Sequence, residues 1–317
     1  MRHPRIKPET NTFYHAYNRA AGTKYDRPFG DAEKEQFLRI MKRLDSFYVV
    51  DVLAFTCMSN HFHLLLHAPE EAPSHDETCR RYKVYYAAED RELKPGSLHC
   101  EEISQRMRDV SWFMHDLQRQ FSAWFNSTRS IRRRGTLWAG RFRSTVLEAG
   151  VAVWDCWQYI EMNAVKVGLA ENASQYRFCS LGQWGGRGRH PFEDNAKRIL
   201  LPTLGEFLRE KSLKSLHSRI RRELAAQEAM RRKLQPEMLA ETLKNINRPV
   251  NFHTQAIHRA RYWVDGAVIG SELFVKELMT RVRGSAHMKK RRLTKAVEAE
   301  ANGVHLVCYK QLRPLLE

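Results

Sequence analysis

Apolar and polar positions change their period twice within the first seventy residues. Residues 12–20, Thr-Phe-Tyr-His-Ala-Tyr-Asn-Arg-Ala, read as a strand, and Gly22 to Gly30 as loop. Asp31 is a candidate N-cap, and 32–47 carries Phe37, Ile40, Met41 and Leu44 at helical spacing. Residues 48–57, Tyr-Val-Val-Asp-Val-Leu-Ala-Phe-Thr-Cys, are β-branched and apolar, which predicts a buried strand. Met58-Ser59-Asn60 then turns the chain into a strand over His61–His67. This β-α-β-β order predicts an α+β fold, a mainly antiparallel sheet with helices on one face.

Further on, residues 69–100 are polar, hold Pro69, Pro73, Pro95 and Gly96, and read as an insertion or long loop with a short helix around 76–90. A long amphipathic helix is predicted over 101–127, with Met107, Val110, Phe113, Met114, Leu117, Phe121 and Trp124 near one stripe, the ordinary pattern of a core-facing helix. Residues 150–167 form the next helix, closed by Gly168. Gly185 to Pro191 reads as a linker, dividing a unit over 1–185 from a mainly helical region over 190–317. In the latter, helices are predicted within 205–247 and over 268–283, with Ser271 as N-cap.

Charge narrows the choice of partner. Lys and Arg number 53 against 36 Asp and Glu, a formal charge of +17. Such a field suits a polyanion, because each neutralised phosphate releases condensed counterions. Arg129 to Ser144 holds six arginines, Arg132, Arg133, Arg134, Arg141 and Arg143 among them, interleaved with Trp138 and Phe142. Arginine with aromatics is the combination expected of phosphate clamps and base stacking. Met288–Arg292 and Arg219–Arg222 are further basic runs, which solvated helix faces explain as well. No stretch approaches the ~20 apolar residues of a spanning helix, so no membrane partner is expected. The beginning of the chain lacks an apolar signal region, and six scattered cysteines without a Cys-x-x-Cys pair suit a reducing compartment; the cytoplasm is the expected location.

The candidate chemistry begins at His61-Phe62-His63. On a strand the two imidazoles share a face and Phe62 takes the other, half of a metal site on a rigid support. Short His-x-His strings are common, and most bind nothing. The second element is the helix 150–167, where Tyr159 and Asn163 are four residues apart and project from one face. His61, His63 and the Asn163 carboxamide would hold a divalent cation, Mg2+ or Mn2+, acting on a phosphodiester, and Tyr159 would be the nucleophile. A phenol is a poor nucleophile at neutral pH and needs activation. Alone, Tyr159 reads equally as a core tyrosine beside Trp154 and Trp157.

Four motifs in order resemble a known family. They are Tyr14-His15 with Asn18-Arg19, Met58 to Leu65, Gly135 to Ser144, and Tyr159 to Leu169. Over residues 10–182 the chain resembles single-tyrosine HUH transposases, REP-associated tyrosine transposases above all. The resemblance implies a ferredoxin-like (palm-type) catalytic domain that cleaves single-stranded or hairpin DNA through a 5′-phosphotyrosine. It matches His61 and His63 to the metal-binding pair, Tyr159 to the nucleophile and Asn163 to the third ligand, a glutamine in some relatives. Arg19, Arg132, Arg133, Arg134, Trp138, Arg141, Arg143 and Lys166 would contact DNA. Ala164 and Ser59 stand where relatives often have proline, and the 69–100 insertion is long for the family. Whether a homodimer partner completes the site is left open. A non-catalytic DNA-hairpin-binding protein is the second reading, and a zinc hydrolase using Cys57 or His67 a third.

Overall fold

The computed structural model describes residues 5–8, 10–23, 25–89, 91–129, 135–231, 263–264, 266–283, 294–295 and 306–310. Its first strand, β1 (Thr12–Arg19), leads into helix α1 (Asp31–Phe47) and the hairpin β2 (Asp51–Cys57) and β3 (His61–Ala68). The hairpin turn is tied down by backbone bonds from Met58 N to His61 O (2.7 Å), Ala20 N to Asn60 O (2.8 Å) and Phe29 N to Ser59 O (2.9 Å). After α2 (His75–Tyr85), α3 (Leu98–Met107) and α4 (Val110–Ser127) the chain returns as β4 (Arg143–Leu147). These four strands pair antiparallel in the order β2-β3-β1-β4. That is the ferredoxin-like order, in which β1 and β3 occupy the centre.

Alternation along β3 sorts the two faces. Phe62 packs on Phe37 of α1 with ring centroids 4.8 Å apart, and Phe37 meets Phe121 of α4 at 5.4 Å. α1 and α4 therefore cover the Phe62 face. The opposite face receives α5 (Val151–Glu161), every residue of which is buried. A second helical layer, beyond the one the pattern predicts, follows: α6 (Asn163–Lys166), α7 (Ser180–Arg187), α8 (Glu193–Asn195), α9 (Leu201–Leu208) and α10 (Leu213–Arg231). α10 is bonded to α5 through Glu223, whose carboxylate accepts from Trp154 Nε1 (3.0 Å) and Gln158 Nε2 (3.1 Å).

Four boundaries differ from the sequence reading, and one is the helix expected over 150–167, which breaks at Met162 into α5 and α6. The helix expected over 101–127 breaks at Arg108–Asp109, because the Asp109 carboxylate accepts from Ser111 N (2.7 Å) and caps a new helix. Residues 185–191 are no open linker: Trp184 and the buried His190 meet edge to face at 4.9 Å. The helix expected over 268–283 is a strand followed by a helix, β5 (Gly266–Ser271) and α11 (Glu272–Arg283), although Ser271 does accept the capping bond from Phe274 N (3.2 Å). β5 pairs parallel with β4, and β7 (Leu306–Lys310) and β6 (Thr294–Lys295) extend the sheet to seven strands among the described residues. The described part of the C-terminal region is thus helical at first and then joined to the four-stranded sheet through β5. Met288–Arg292 and the predicted helical stretch beyond residue 231 lie outside the described residues.

Candidate active site

Cross-strand partners share a face. Arg19 is opposite His61, Tyr17 opposite both His63 and Arg143, and His15 opposite Thr145. All seven therefore line the face that α5 covers. The rings of His61 and His63 are 5.2 Å apart and perpendicular. Tyr17 stacks on His63 at 4.8 Å. From α5, Tyr159 meets His63 edge-on at 5.4 Å and His15 at 5.7 Å. The strand pair and the helix tyrosine, distant in sequence, do come together.

Each imidazole has one nitrogen engaged. His61 Nδ1 is 2.7 Å from Asn60 Oδ1, and His63 Nδ1 is 2.9 Å from His15 Nε2. Nε2 of each ring has no hydrogen-bond partner among the described residues. Burial, then Arg27 and Arg19, lowers the pKa of His61 to about 4. Burial, with His15, His61 and Lys166 adding to it, holds His63 well below its ordinary value. Both rings are thus neutral near pH 7, the form in which imidazole binds a metal. Asn163 Nδ2 donates to the carbonyls of Tyr159 (2.8 Å) and Ile160 (3.3 Å), closing the end of α5, so that Oδ1 is the atom left for a ligand. Among the described residues no three His, Cys, Asp or Glu side chains are grouped to hold a metal. Two imidazoles, of His61 and His63, and the Asn163 carboxamide are the candidate donors here.

Tyr159 is enclosed, with 1% of its surface exposed. Trp263, from the segment leading into β5, stacks on its ring at 5.5 Å, and Lys166 Nζ lies 4.7 Å from the ring centre. Burial raises the phenol's pKa, Cys156 and Tyr17 add to this, and a hydrogen bond with Asn163 opposes it. Burial, then Arg231, lowers Lys166 to about 7. Lys166, expected to contact DNA, thus lies half-buried beside the Tyr159 ring.

The remaining expected DNA contacts divide. Arg19, Arg141 and Arg143 are exposed. Arg132, Arg133 and Arg134 lie outside the described residues. Trp138 is corrected: its ring packs on Phe62 (5.4 Å), Phe29 and Phe121 (both 5.8 Å), and Nε1 donates to Gln118 O, on the face away from the histidines. Arg219 pairs with Glu223 (3.0 Å) and is a structural cation. The zinc-hydrolase reading loses both residues. Cys57 pairs with Phe62 and so faces away from His61 and His63, with burial raising its thiol to about 12. His67 Nδ1 is held by Asp51 Oδ2 at 3.0 Å. Tyr176 donates to Cys57 O at 2.7 Å and is buried.

Sequence reasoning missed His15 and Trp263 as parts of this site. His15 carries a signal, its position two residues before Tyr17 on one strand face; Trp263 has no local signal. No protein-family model and no curated protein matches this chain. A solved structure of a REP-associated tyrosine transposase bound to a REP hairpin aligns with 61% of this chain and 90% of that chain, at 15% identity and a TM-score of 0.39. At that score the two share a distant likeness and no more. Among the described residues no helix is long and apolar enough to cross a membrane.

Proposed function

We propose that this chain is a metal-dependent DNA-strand transferase that cuts single-stranded or hairpin-flanking DNA through a phosphotyrosine on Tyr159. The observation that carries the reading is the meeting of two neutral imidazoles, each with Nε2 unengaged, with a helix-borne tyrosine edge-on to one of them. His61 and His63 through Nε2, with Asn163 through Oδ1, would hold a divalent cation, Mg2+ or Mn2+, which would supply Lewis-acid polarisation of a scissile phosphate. Tyr159 Oη bonds to phosphorus, the bond from phosphorus to the 3′ oxygen breaks, and that oxygen gains a proton as the phenol loses one. The 5′ phosphate stays on the enzyme, so the stored ester can be passed to another 3′-hydroxyl without a nucleotide cofactor. Arg19 and Arg143, on the same sheet face, supply cationic contacts for the DNA backbone.

The test is a hairpin oligonucleotide with single-stranded flanks, labelled at its 3′ end and incubated with Mn2+. The expected result is a denaturation-stable protein–DNA adduct that vanishes in Tyr159→Phe and in EDTA, with binding retained. An adduct lost instead in Tyr17→Phe would move the nucleophile to Tyr17, which is half-buried in the same site. Tight binding with no adduct in any variant would favour the non-catalytic hairpin-binding reading.

A further inference from the structure

His15 has no role in the reaction as written, yet it is the best-connected side chain in the site. It is 1% exposed at the centre of β1, its ring is parallel to that of His63 at 5.1 Å, and both of its nitrogens are engaged. Nδ1 is 3.2 Å from the backbone carbonyl of Trp263, and Nε2 is 2.9 Å from His63 Nδ1. The direction of this chain of bonds follows from its far end. A carbonyl oxygen can only accept, so His15 Nδ1 carries the hydrogen. The ring is enclosed, and among the described residues no acidic side chain bonds it to offset a positive charge, so it is neutral and carries only that one hydrogen. Its Nε2 is then an acceptor, and the hydrogen between the two rings belongs to His63 Nδ1. The remaining nitrogen of His63, Nε2, is left with a lone pair.

We propose that His15 is a positioning residue: anchored by the Trp263 carbonyl, it fixes His63 in the one tautomer whose Nε2 can bind a cation. Isolated imidazole prefers the opposite tautomer, and the partner of one ring nitrogen decides the state of the other. The Trp263 carbonyl is itself held from the sheet, with Thr145 Oγ1 at 3.0 Å and the same hydroxyl 2.7 Å from Gly266 O. The relay therefore runs from the segment before β5, 248 residues from His15, to the metal-facing atom of His63. A residue far along the chain sets the ligand state of the motif.

The role rests on the metal reading above, but its first test does not. Long-range proton–nitrogen correlation spectra of the metal-free, full-length protein at pH 7 report the tautomer of each histidine ring, with His63 assigned by its loss in His63→Gln. The expected result is hydrogen on His63 Nδ1 in the unsubstituted protein and a mixture of tautomers in His15→Leu. Mn2+ affinity, measured by paramagnetic resonance, falls about 10–100-fold in His15→Leu, the usual effect of losing such a partner. His15→Gln, whose amide oxygen can accept in place of Nε2, recovers most of it. Hydrogen on His63 Nε2 in the unsubstituted protein, or unchanged Mn2+ affinity in a folded His15→Leu, overturns the proposal. Should the unsubstituted protein bind no Mn2+, the metal reading is the one that fails, and the tautomer spectrum alone decides for His15. That spectrum needs no substitution at His15, so a His15→Leu that does not fold leaves the test intact.

Discussion

Tyr159 rests where ionisation is opposed. Burial is the largest influence raising its pKa, and the stacked Trp263 indole is a main part of the cover. The proposed attack on phosphorus would need the phenolate, so the resting arrangement protects the Tyr159 phenol more than it activates it. Trp263 comes from the segment before β5, far along the chain, and its indole, which also meets the His15 ring edge-on at 6.3 Å, can be shortened without replacing any imidazole. In Trp263→Leu the Tyr159 phenol should titrate closer to the ordinary value of about 10. The readout is the ultraviolet difference titration between Trp263→Leu and the same protein with Tyr159→Phe added. A titration as high as in the unsubstituted protein would mean that α5 and the imidazoles, without the indole, close off the phenol. At this scale the sequence is informative wherever chemistry is local. His61 and His63 are two apart on a strand, and Tyr159 and Asn163 four apart on a helix, so each pair can be placed on one face without coordinates. His15 needs the β1–β3 register to reach His63, and Trp263 needs a strand pairing more than a hundred residues beyond β4.

The elements that carry these residues depend on one another through β4. Its Thr145 hydroxyl reaches the carbonyls of Trp263 and Gly266, and Glu148 just after it accepts from Ser271 Oγ at 2.9 Å. The segment Trp263 to Ser271 is thus fastened to the four-stranded sheet by polar contacts as well as by the β4–β5 ladder. Thr145→Val keeps the shape and removes the hydroxyl, leaving buried carbonyls short of a donor. The expected cost is about 1–3 kcal/mol in denaturant unfolding, with Thr145→Ser costing less. Equal stability of Thr145→Val and the unsubstituted protein would show that the ladder alone fixes this segment. The element order as far as β3 was legible because period and turn residues agree there. The run Ala267 to Gly270 was not, because a short apolar stretch fits strand and buried helix alike, and only pairing with β4 decides. Trp138 misled for a related reason: an aromatic among arginines suggests base stacking, but Phe29, Phe62 and Phe121 assemble around it only in three dimensions.

Across the whole molecule the buried titratable groups set how the fold responds to acid. His15, His61 and His190 are lowered to about 4 and His63 well below its ordinary value, burial being the largest cause in each. Asp45 and Glu161 are raised to about 7, again by burial. Near pH 5 the unfolded chain holds a proton on each of the four histidines that the folded chain lacks. The folded chain holds one on each of the two carboxylates that the unfolded chain has released. Through these six groups unfolding takes up about two protons, so that stability rises with pH in this range by roughly 2–3 kcal/mol per pH unit; the half-buried His217, also lowered to about 4, acts in the same direction. The histidine contribution is fully present above about pH 6.5 and is lost as pH falls towards 4; the carboxylates act in the opposite direction and are outnumbered. Denaturant unfolding at pH 7 and pH 5 should show the lower midpoint at pH 5. A midpoint that stays level or rises would mean that the carboxylates prevail and that the histidines, the proposed cation ligands included, are protonated in the folded protein.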